Sequence, residues 1–241
     1  MKFSINQKDL QESLGFCQNV IERRSTLPIL SNVLIQAKDT NLTITATDLD
    51  MIFIHNISNV EINEEGETTT NSSIMYDIVR KFAAGKKINV ETISDTKLQL
   101  ESEKSIFKLN CIDSKEFPLS EDESGGVDIT INSQSFLKLL NKCKFSISND
   151  ETRHYLSGIY LHFTNTEEKN YLTAVSTDSH RMSISKMRLN QSINFEPIIL
   201  PKKTIYQLCS LLENFNGDIK IINSKSKIKF LLDNSTLTSK V

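Results

Sequence analysis

The sequence contains two copies of one pattern, and this repeat limits the possible folds more than any other feature. Segment 3–17, FSINQKDLQESLGFC, matches segment 129–143, ITINSQSFLKLLNKC, at an offset of 126 residues, from 17 to 143. An insertion near 167–170 raises the offset to 130, so that LTITATD (42–48) matches LTAVSTD (172–178). A repeat that persists along the whole chain indicates that one domain has been duplicated.

A short acidic stretch separates the two copies. It consists of SEDESGGVD (120–128) and holds the only Gly-Gly pair of the chain, a composition typical of linkers. We therefore expect one domain over 1–122 and a second over 128–241. The chain has 38% apolar and 24% charged residues, the balance of a soluble globular protein, and its 241 residues suffice for two domains with their own cores.

Each copy has the same order of expected elements. Apolar residues at helical spacing predict helices at 7–19 and 133–146, and second helices at 72–84 and 201–214. Pro201 suits the first helical turn, where its missing N–H would be unpaired anyway. Residues typical of strands, in alternating patterns, lie in the first copy at 32–38, 41–47, 51–60, 87–93, 97–102 and 105–111. Two helices packed on antiparallel sheets in each copy define an α+β fold.

Positive charge is concentrated on the expected helices. Lys138 and Lys142 share one helical face opposite the apolar residues, and no acid lies between 133 and 146. Arg80 lies on the helix at 72–84, and Lys202 begins the last helix. Because the formal net charge is -2, any nucleic acid must be bound by such a local surface. The pattern favours contacts with a phosphate backbone without base readout, although ordinary solvated helix faces show the same pattern.

Several classes of site are excluded or disfavoured. The four cysteines form no C-x-x-C pair, which favours buried free thiols. The histidines show no metal-binding spacing and no phosphate-cradling loop occurs, so no metal and no cofactor is expected. Asp178, Ser179 and His180 are the residue types of a hydrolase triad, but consecutive residues cannot readily reach one another as a triad requires. A nucleophile elbow is also missing.

The N-terminal sequence indicates a cytoplasmic protein. Met1 is followed directly by the alternating segment KFSI, without the basic, apolar and small-residue blocks of a signal peptide. No apolar run approaches the roughly 20 residues that span a bilayer.

Four segments, in order and at compatible spacing, are similar to those of one family. They are STLPILSNVLIQ (25–36), LTITATDLDM (42–51), TRHYLSGIYLH (152–162) and STDSHRM (176–182). On these motifs the whole chain resembles the bacterial DNA polymerase III beta sliding clamp. The resemblance implies a non-catalytic processivity factor with three similar domains per subunit. Two such subunits form a ring around duplex DNA, with the helices lining the hole.

The resemblance also implies a binding cleft for partner peptides between the second and third domains. Its expected partners are the polymerase III catalytic subunit, the clamp loader and other clamp-binding peptides. The second-domain positions that match the cleft are Leu156, Thr177, His180, Arg181 and Met182. Ser179 stands where the family commonly has Gly, so Ser179 either changes the cleft or occupies a permissive turn.

The resemblance also implies which positions contact DNA and which form the dimer interface. Arg24, His154 and Tyr155 match family positions that touch DNA. Phe107 and Leu109 match the strand edge that pairs with a third domain across the dimer interface. The alternative is that both residues belong to the core, as is usual for Phe and Leu that alternate along a strand.

The two copies account for all 241 residues, whereas the family continues into a third domain. We therefore expect this chain to be a fragment that stops within the second domain, and a homodimer when the protein is full length. The alternative is a truncated, clamp-like peptide-binding module that does not encircle DNA.

Overall fold

The computed structural model describes most of the chain, and the chain divides into two compact units. The described residues are 1–22, 26–119, 125–150, 152–166, 169–190, 196–224 and 226–241. The first unit consists of 1–121 with 234–236, and the second consists of 122–233 with 237–241.

The described part of the first unit contains two helices and nine strands. The helices are α1 (Gln7–Cys17) and α2 (Ser72–Val79). The strands are β1 (Lys2–Asn6), β2 (Asn32–Lys38), β3 (Asn41–Thr47), β4 (Met51–Ile57), β5 (Glu61–Glu64), β6 (Gly66–Asn71), β7 (Lys87–Ser94), β8 (Lys97–Ser102) and β9 (Ser105–Ile112). These strands lie side by side in the order β4-β3-β2-β6-β9-β8-β7-β1-β5, and the pairings between them are antiparallel.

The core of the first unit lies between its helices and the inner face of its strands. Leu10, Leu14 and Cys17 recur at helical spacing on α1 and are fully buried, as this spacing predicts. Burial of each leucine contributes about 1.5–3 kcal/mol. The second helix ends at Val79, earlier than predicted, because the next residues close tighter turns in which Lys81 N–H donates to the Ile78 carbonyl at 3.0 Å.

The second unit repeats this order of elements, except that β5 has no counterpart among its described residues. Its described helices are α3 (Ser133–Asn141) and α4 (Lys202–Leu212). Its described strands are β10 (Val127–Asn132), β11 (Gly158–Thr166), β12 (Lys169–Thr177), β13 (Met182–Leu189), β14 (Ile198–Pro201), β15 (Asp218–Asn223), β16 (Lys227–Leu231) and β17 (Ser235–Lys240). One sheet runs in the order β13-β12-β11-β14, and the neighbours β10, β15, β16 and β17 lie in another.

The helices of the second unit are shorter than predicted. The helix expected at 133–146 ends at Asn141, and a separate 3-10 turn covers Lys144–Ser146, because Cys143 N–H bonds three residues back, to the Leu140 carbonyl at 3.0 Å. Pro201 is extended, with φ −62° and ψ 148°, and precedes α4 as its cap instead of forming its first turn.

The fold class is confirmed: each unit is α+β, with two helices on antiparallel strands. All four cysteines are buried free thiols, as their apolar neighbours predict. Among the described residues, no helix is long and apolar enough to cross a lipid bilayer.

Candidate functional site

A tight turn joins β12 to β13 at one end of the second unit, and its own side chains close it. Asp178 Oδ1 accepts the backbone N–H of His180 at 3.1 Å and of Arg181 at 3.0 Å. Thr177 Oγ1 donates to the Arg181 carbonyl at 2.8 Å and accepts from Ser179 N–H at 3.2 Å. These four hydrogen bonds, all made within the turn, hold its shape.

Charge strengthens this turn. Partial burial of Asp178 opposes ionisation, but hydrogen bonds from two amides and the Arg181 guanidinium outweigh that effect and lower the pKa of the carboxyl below its ordinary value. The Arg181 Nε atom lies 2.9 Å from Asp178 Oδ2. Asp178 is therefore ionised at neutral pH, and its carboxylate holds the Arg181 guanidinium against the turn.

A second segment, which carries Leu156, is attached to the turn by Arg153. Arg153 Nη1 donates to Ser179 Oγ at 3.0 Å, and Arg153 Nε donates to Asp150 Oδ2 at 2.7 Å. The following 3-10 turn, His154–Leu156, begins at Arg153, whose carbonyl accepts Leu156 N–H at 2.9 Å. Residues about 25 apart in the sequence are thus brought together at one end of the sheet.

The six residues predicted for a peptide cleft lie on these two segments. Thr177 and Met182 pair across β12 and β13, and the Met182 side chain is 63% exposed. Ser179, His180 and Arg181 are exposed, whereas Leu156 is half-buried. An exposed methionine on a sheet face beside polar groups is the kind of surface that binds apolar partners.

Two exposed apolar residues on the same sheet were not predicted from the sequence. Ile184 follows Met182 on the same face of β13 and is 56% exposed. Tyr160, on β11, is 40% exposed and pairs with Val175, which in turn pairs with Ile184. The alternation of MSISKMRL places Met182 and Ile184 on one face of β13, but it does not indicate which face is exposed.

A basic cavity of about 350 Å³ lies beside this turn, within the second unit. The charged side chains that line it are Lys144, Arg153, Asp178, Arg181 and Lys202, and the imidazole of His180 lines it as well. Lys144 Nζ lies 5.8 Å from the centre of the Tyr206 ring, and the Arg181 guanidinium lies 5.4 Å from that of Phe145. Lys202 Nζ donates to Asn149 Oδ1. Of the apolar cleft residues, neither Leu156 nor Met182 lines this cavity.

The residues predicted to contact DNA lie at separate places. Lys138 and Lys142 are exposed on α3 and at its end, and Lys202 begins α4. His154 and Tyr155 are exposed on the 3-10 turn, with Tyr155 67% exposed. Two further predicted residues belong to the first copy. Arg80 is exposed at the end of α2, where its Nη2 lies 3.0 Å from Asp77 Oδ1, and Arg24 lies outside the described residues.

The predicted dimer edge falls on β9. Phe107 is 42% exposed, with its ring centre 5.7 Å from that of Phe82, whereas Leu109 is buried. On one side β9 pairs with β8 from Ser105 to Asn110. On the other side β9 pairs with β6 through Cys111 and Ile112 alone. The Asn110 carbonyl also accepts a hydrogen bond from Thr70 Oγ1 of β6 at 3.0 Å. Within the described residues, the stretch 105–109 therefore presents an open strand edge, which is suited to pairing with another chain.

Two α+β units of this topology define the class of DNA clamp domains, and comparison with known families agrees. The family model described as the N-terminal domain of the DNA polymerase III beta subunit matches residues 1–121. The model for the central domain of the same subunit matches residues 130–241. The chain belongs to the DNA polymerase III beta subunit family, which confirms the predicted resemblance.

Relatives from several bacteria are similar over the whole chain. The beta sliding clamp of Caulobacter vibrioides is 33% identical over 243 residues, which cover 100% of this chain and 65% of the relative. The beta sliding clamp of Escherichia coli K12 is 29% identical, with 64% of the relative covered. This chain therefore spans about 65% of the length of the curated relatives that it matches. These relatives carry the name of a clamp and not of an enzyme.

Solved structures agree with these matches. A Caulobacter crescentus beta sliding clamp superposes with a TM-score of 0.94 at 34% identity, covering 100% of this chain and 64% of that one. A sliding clamp from Bartonella birtlesii bound to griselimycin superposes with a TM-score of 0.93 at 33% identity, again over 100% of this chain and 64% of that one.

Proposed function

We propose that the complete protein is a DNA polymerase processivity factor, a ring-shaped sliding clamp that encircles duplex DNA in the cytoplasm. The observation that carries this proposal is the pair of clamp domains, which match a solved beta sliding clamp over the whole chain with a TM-score of 0.94. No bond is made or broken in this function. A closed ring stays on DNA because of its topology, so its contacts with phosphate are weak enough for sliding.

The proposed ring is a homodimer, and two features of the first unit support it. The stretch 105–109 of β9 offers backbone groups that are not paired with β6, and Phe107 within it is an exposed aromatic side chain of the kind enriched at interfaces. A strand of the partner subunit would extend the sheet here by main-chain hydrogen bonds.

Polymerase and clamp loader would dock by short peptides at the end of the second unit. Met182 and Leu156 supply apolar surface, and the turn 177–182 supplies polar groups whose positions are fixed by Asp178. Fixed polar groups around an apolar contact give a peptide site orientation as well as affinity. Griselimycin, which is bound to the Bartonella birtlesii relative, is a suitable probe.

Topological retention tests the proposal. The protein expressed from the complete gene is assembled by a clamp loader on nicked circular DNA, and the complex is isolated by gel filtration. We expect the protein to co-elute with circular DNA and to be lost when a restriction enzyme linearises it. Equal retention on linear DNA would indicate ordinary binding. Absence of retention together with griselimycin binding would favour the peptide-binding module that does not encircle DNA.

A further inference from the structure

The two units present helix faces of very different charge. In the first unit, α1, α2 and the turn after α2 carry three basic side chains, Lys8, Arg80 and Lys81, and three acidic ones, Asp9, Glu12 and Asp77. Acids thus balance bases on this face. Asp77 also holds Arg80 at 3.0 Å, so a phosphate would have to compete with an ion pair already formed.

The corresponding face of the second unit is strongly positive. Along α3, α4 and the turns that follow them, the basic side chains are Lys138, Lys142, Lys144, Lys202 and Lys203, and the acidic one is Glu213. Lys138 and Lys142 are exposed, and the described residues give neither of them a carboxylate within ion-pair distance. This difference is visible at matched positions, since Lys138 lies where the first copy has Glu12.

The positive face is continuous with the basic cavity. Lys144 lines that cavity and stacks its ammonium over Tyr206 of α4, and Lys202 lines it from the start of α4. Both arginines that line the cavity form ion pairs with acids of their own loops, Arg153 with Asp150 and Arg181 with Asp178. Among the described residues of the cavity, its two lysines are therefore the charges that a phosphate would meet without displacing a carboxylate.

We propose that the α3–α4 face of the second unit holds the phosphate backbone of duplex DNA, whereas the α1–α2 face of the first unit adds no net attraction. This proposal rests on the proposed function, because it assigns the DNA contact of the clamp to one of two equivalent faces. Lysines act as point charges on phosphate, so binding here is independent of sequence and releases counterions.

Salt dependence separates the two faces. Binding of the 241-residue chain to a fluorescent mixed-sequence duplex is followed by anisotropy from 25 to 150 mM KCl. Removing one phosphate-binding charge reduces the steepness of log K against log salt by about 0.9. Lys138→Gln with Lys142→Gln should therefore reduce the slope by about 1.8, and Lys8→Gln with Lys81→Gln by less than about 0.5. Both pairs remove two positive charges, so they change the net charge of the protein by the same amount.

A charge-preserving pair, Lys138→Arg with Lys142→Arg, should keep the wild-type slope. Equal slope reductions for the two glutamine pairs, an unchanged slope for Lys138→Gln with Lys142→Gln, or no duplex binding at 25 mM KCl would each overturn the proposal. The short duplex does not require a closed ring. If topological retention fails but the salt slopes change as expected here, the encircling function is rejected and the assignment of the phosphate contact to the α3–α4 face stands.

Discussion

Leu49 and Ser179 occupy the same place in the two copies and share one left-handed backbone conformation, with φ of 79° and 78°. Thr47 Oγ1 accepts Leu49 N–H at 3.1 Å, and Thr177 Oγ1 accepts Ser179 N–H at 3.2 Å. A non-glycine residue in this conformation costs about 1–2 kcal/mol. The same side-chain bonds therefore hold a strained turn in both copies.

The aspartate of each turn completes the match. Asp48 Oδ1 accepts Met51 N–H at 2.7 Å, as Asp178 Oδ1 accepts Arg181 N–H at 3.0 Å. The duplicated motif TD thus encodes the turn, and the residue after it is free to vary. Ser179 thus lies at a turn position with positive φ, and its hydroxyl accepts a hydrogen bond from Arg153.

Replacing Ser179 separates backbone strain from this hydrogen bond. Ser179→Ala loses the bond from Arg153 and keeps the strain, so we expect the free energy of unfolding to fall by about 0.5–1 kcal/mol. Ser179→Gly loses the same bond but relieves the strain, and it should stay within about 0.5 kcal/mol of wild type. Urea unfolding of both variants measures the difference, and a glycine variant less stable than the alanine variant would contradict this explanation.

The sequence predicted those parts of the fold that local pattern determines. Leu14 and Leu140 were placed in equivalent cores by helical spacing, and both are fully buried. The end of α3 at Asn141 was not predicted, because Lys142 and Cys143 are compatible with a helix and the break depends on tertiary packing of the next turn.

The site was predicted less completely than the fold. Resemblance supplied the residues of the 177–182 turn, but the bond between Arg153 and Ser179 depends on two loops meeting at the end of a sheet. Periodicity carries no information on such a contact. Exposure of Tyr160 and Ile184 likewise depends on which sheet face the helices cover, which alternation alone leaves open.

Truncation of Met182 should weaken binding of an apolar peptide ligand. Met182→Ala removes much of an exposed apolar side chain at the proposed cleft, and we expect the Kd for griselimycin to rise about tenfold, or about 1.4 kcal/mol. Ile74→Ala removes a side chain of similar exposure, 52% against 63%, from α2 of the first unit and should leave the Kd unchanged. Calorimetry on the protein from the complete gene provides the measurement, and equal effects would rule out a local contact.

A charge at the open edge of β9 should disrupt the proposed dimer. Phe107→Glu places a carboxylate where the interface would bury it, and we expect the dimer Kd to rise at least tenfold, or about 1.4 kcal/mol. Ile93→Glu, at a residue of similar exposure on β7, is the matched control. Light scattering of the complete protein over a dilution series decides the matter. A dimer that survives Phe107→Glu at wild-type affinity would place the interface elsewhere.

Stability should fall as the pH drops below about 6.5, the ordinary pKa of histidine. Burial lowers the pKa of His55, whose ring lies 6.1 Å from Phe16 and 6.2 Å from Phe53. As the pH falls, the unfolded chain therefore binds a proton at His55 before the folded chain does. The contribution of neutral, buried His55 to stability is complete above pH 6.5 and is lost as the pH falls through the lower pKa of the folded state. His55→Phe should show a smaller decrease in Tm between pH 7.5 and 5.5, whereas His154→Gln, on an exposed turn, should match wild type.

Two glycines should respond in opposite directions to the same added methyl group. At Gly158 a Cβ atom would lie 2.9 Å from Ile199 Cγ2 and would overlap the Leu200 carbonyl, so Gly158→Ala should destabilise the protein by about 1–3 kcal/mol. At Gly15, inside α1, the Cβ atom would lie 3.6 Å from the Tyr76 ring, which is ordinary contact. Alanine there should stabilise by about 0.5–1 kcal/mol through helix propensity. Thermal unfolding compares the two variants directly, and a loss of stability in Gly15→Ala would mean that α1 packs against Tyr76 too closely for the added methyl group.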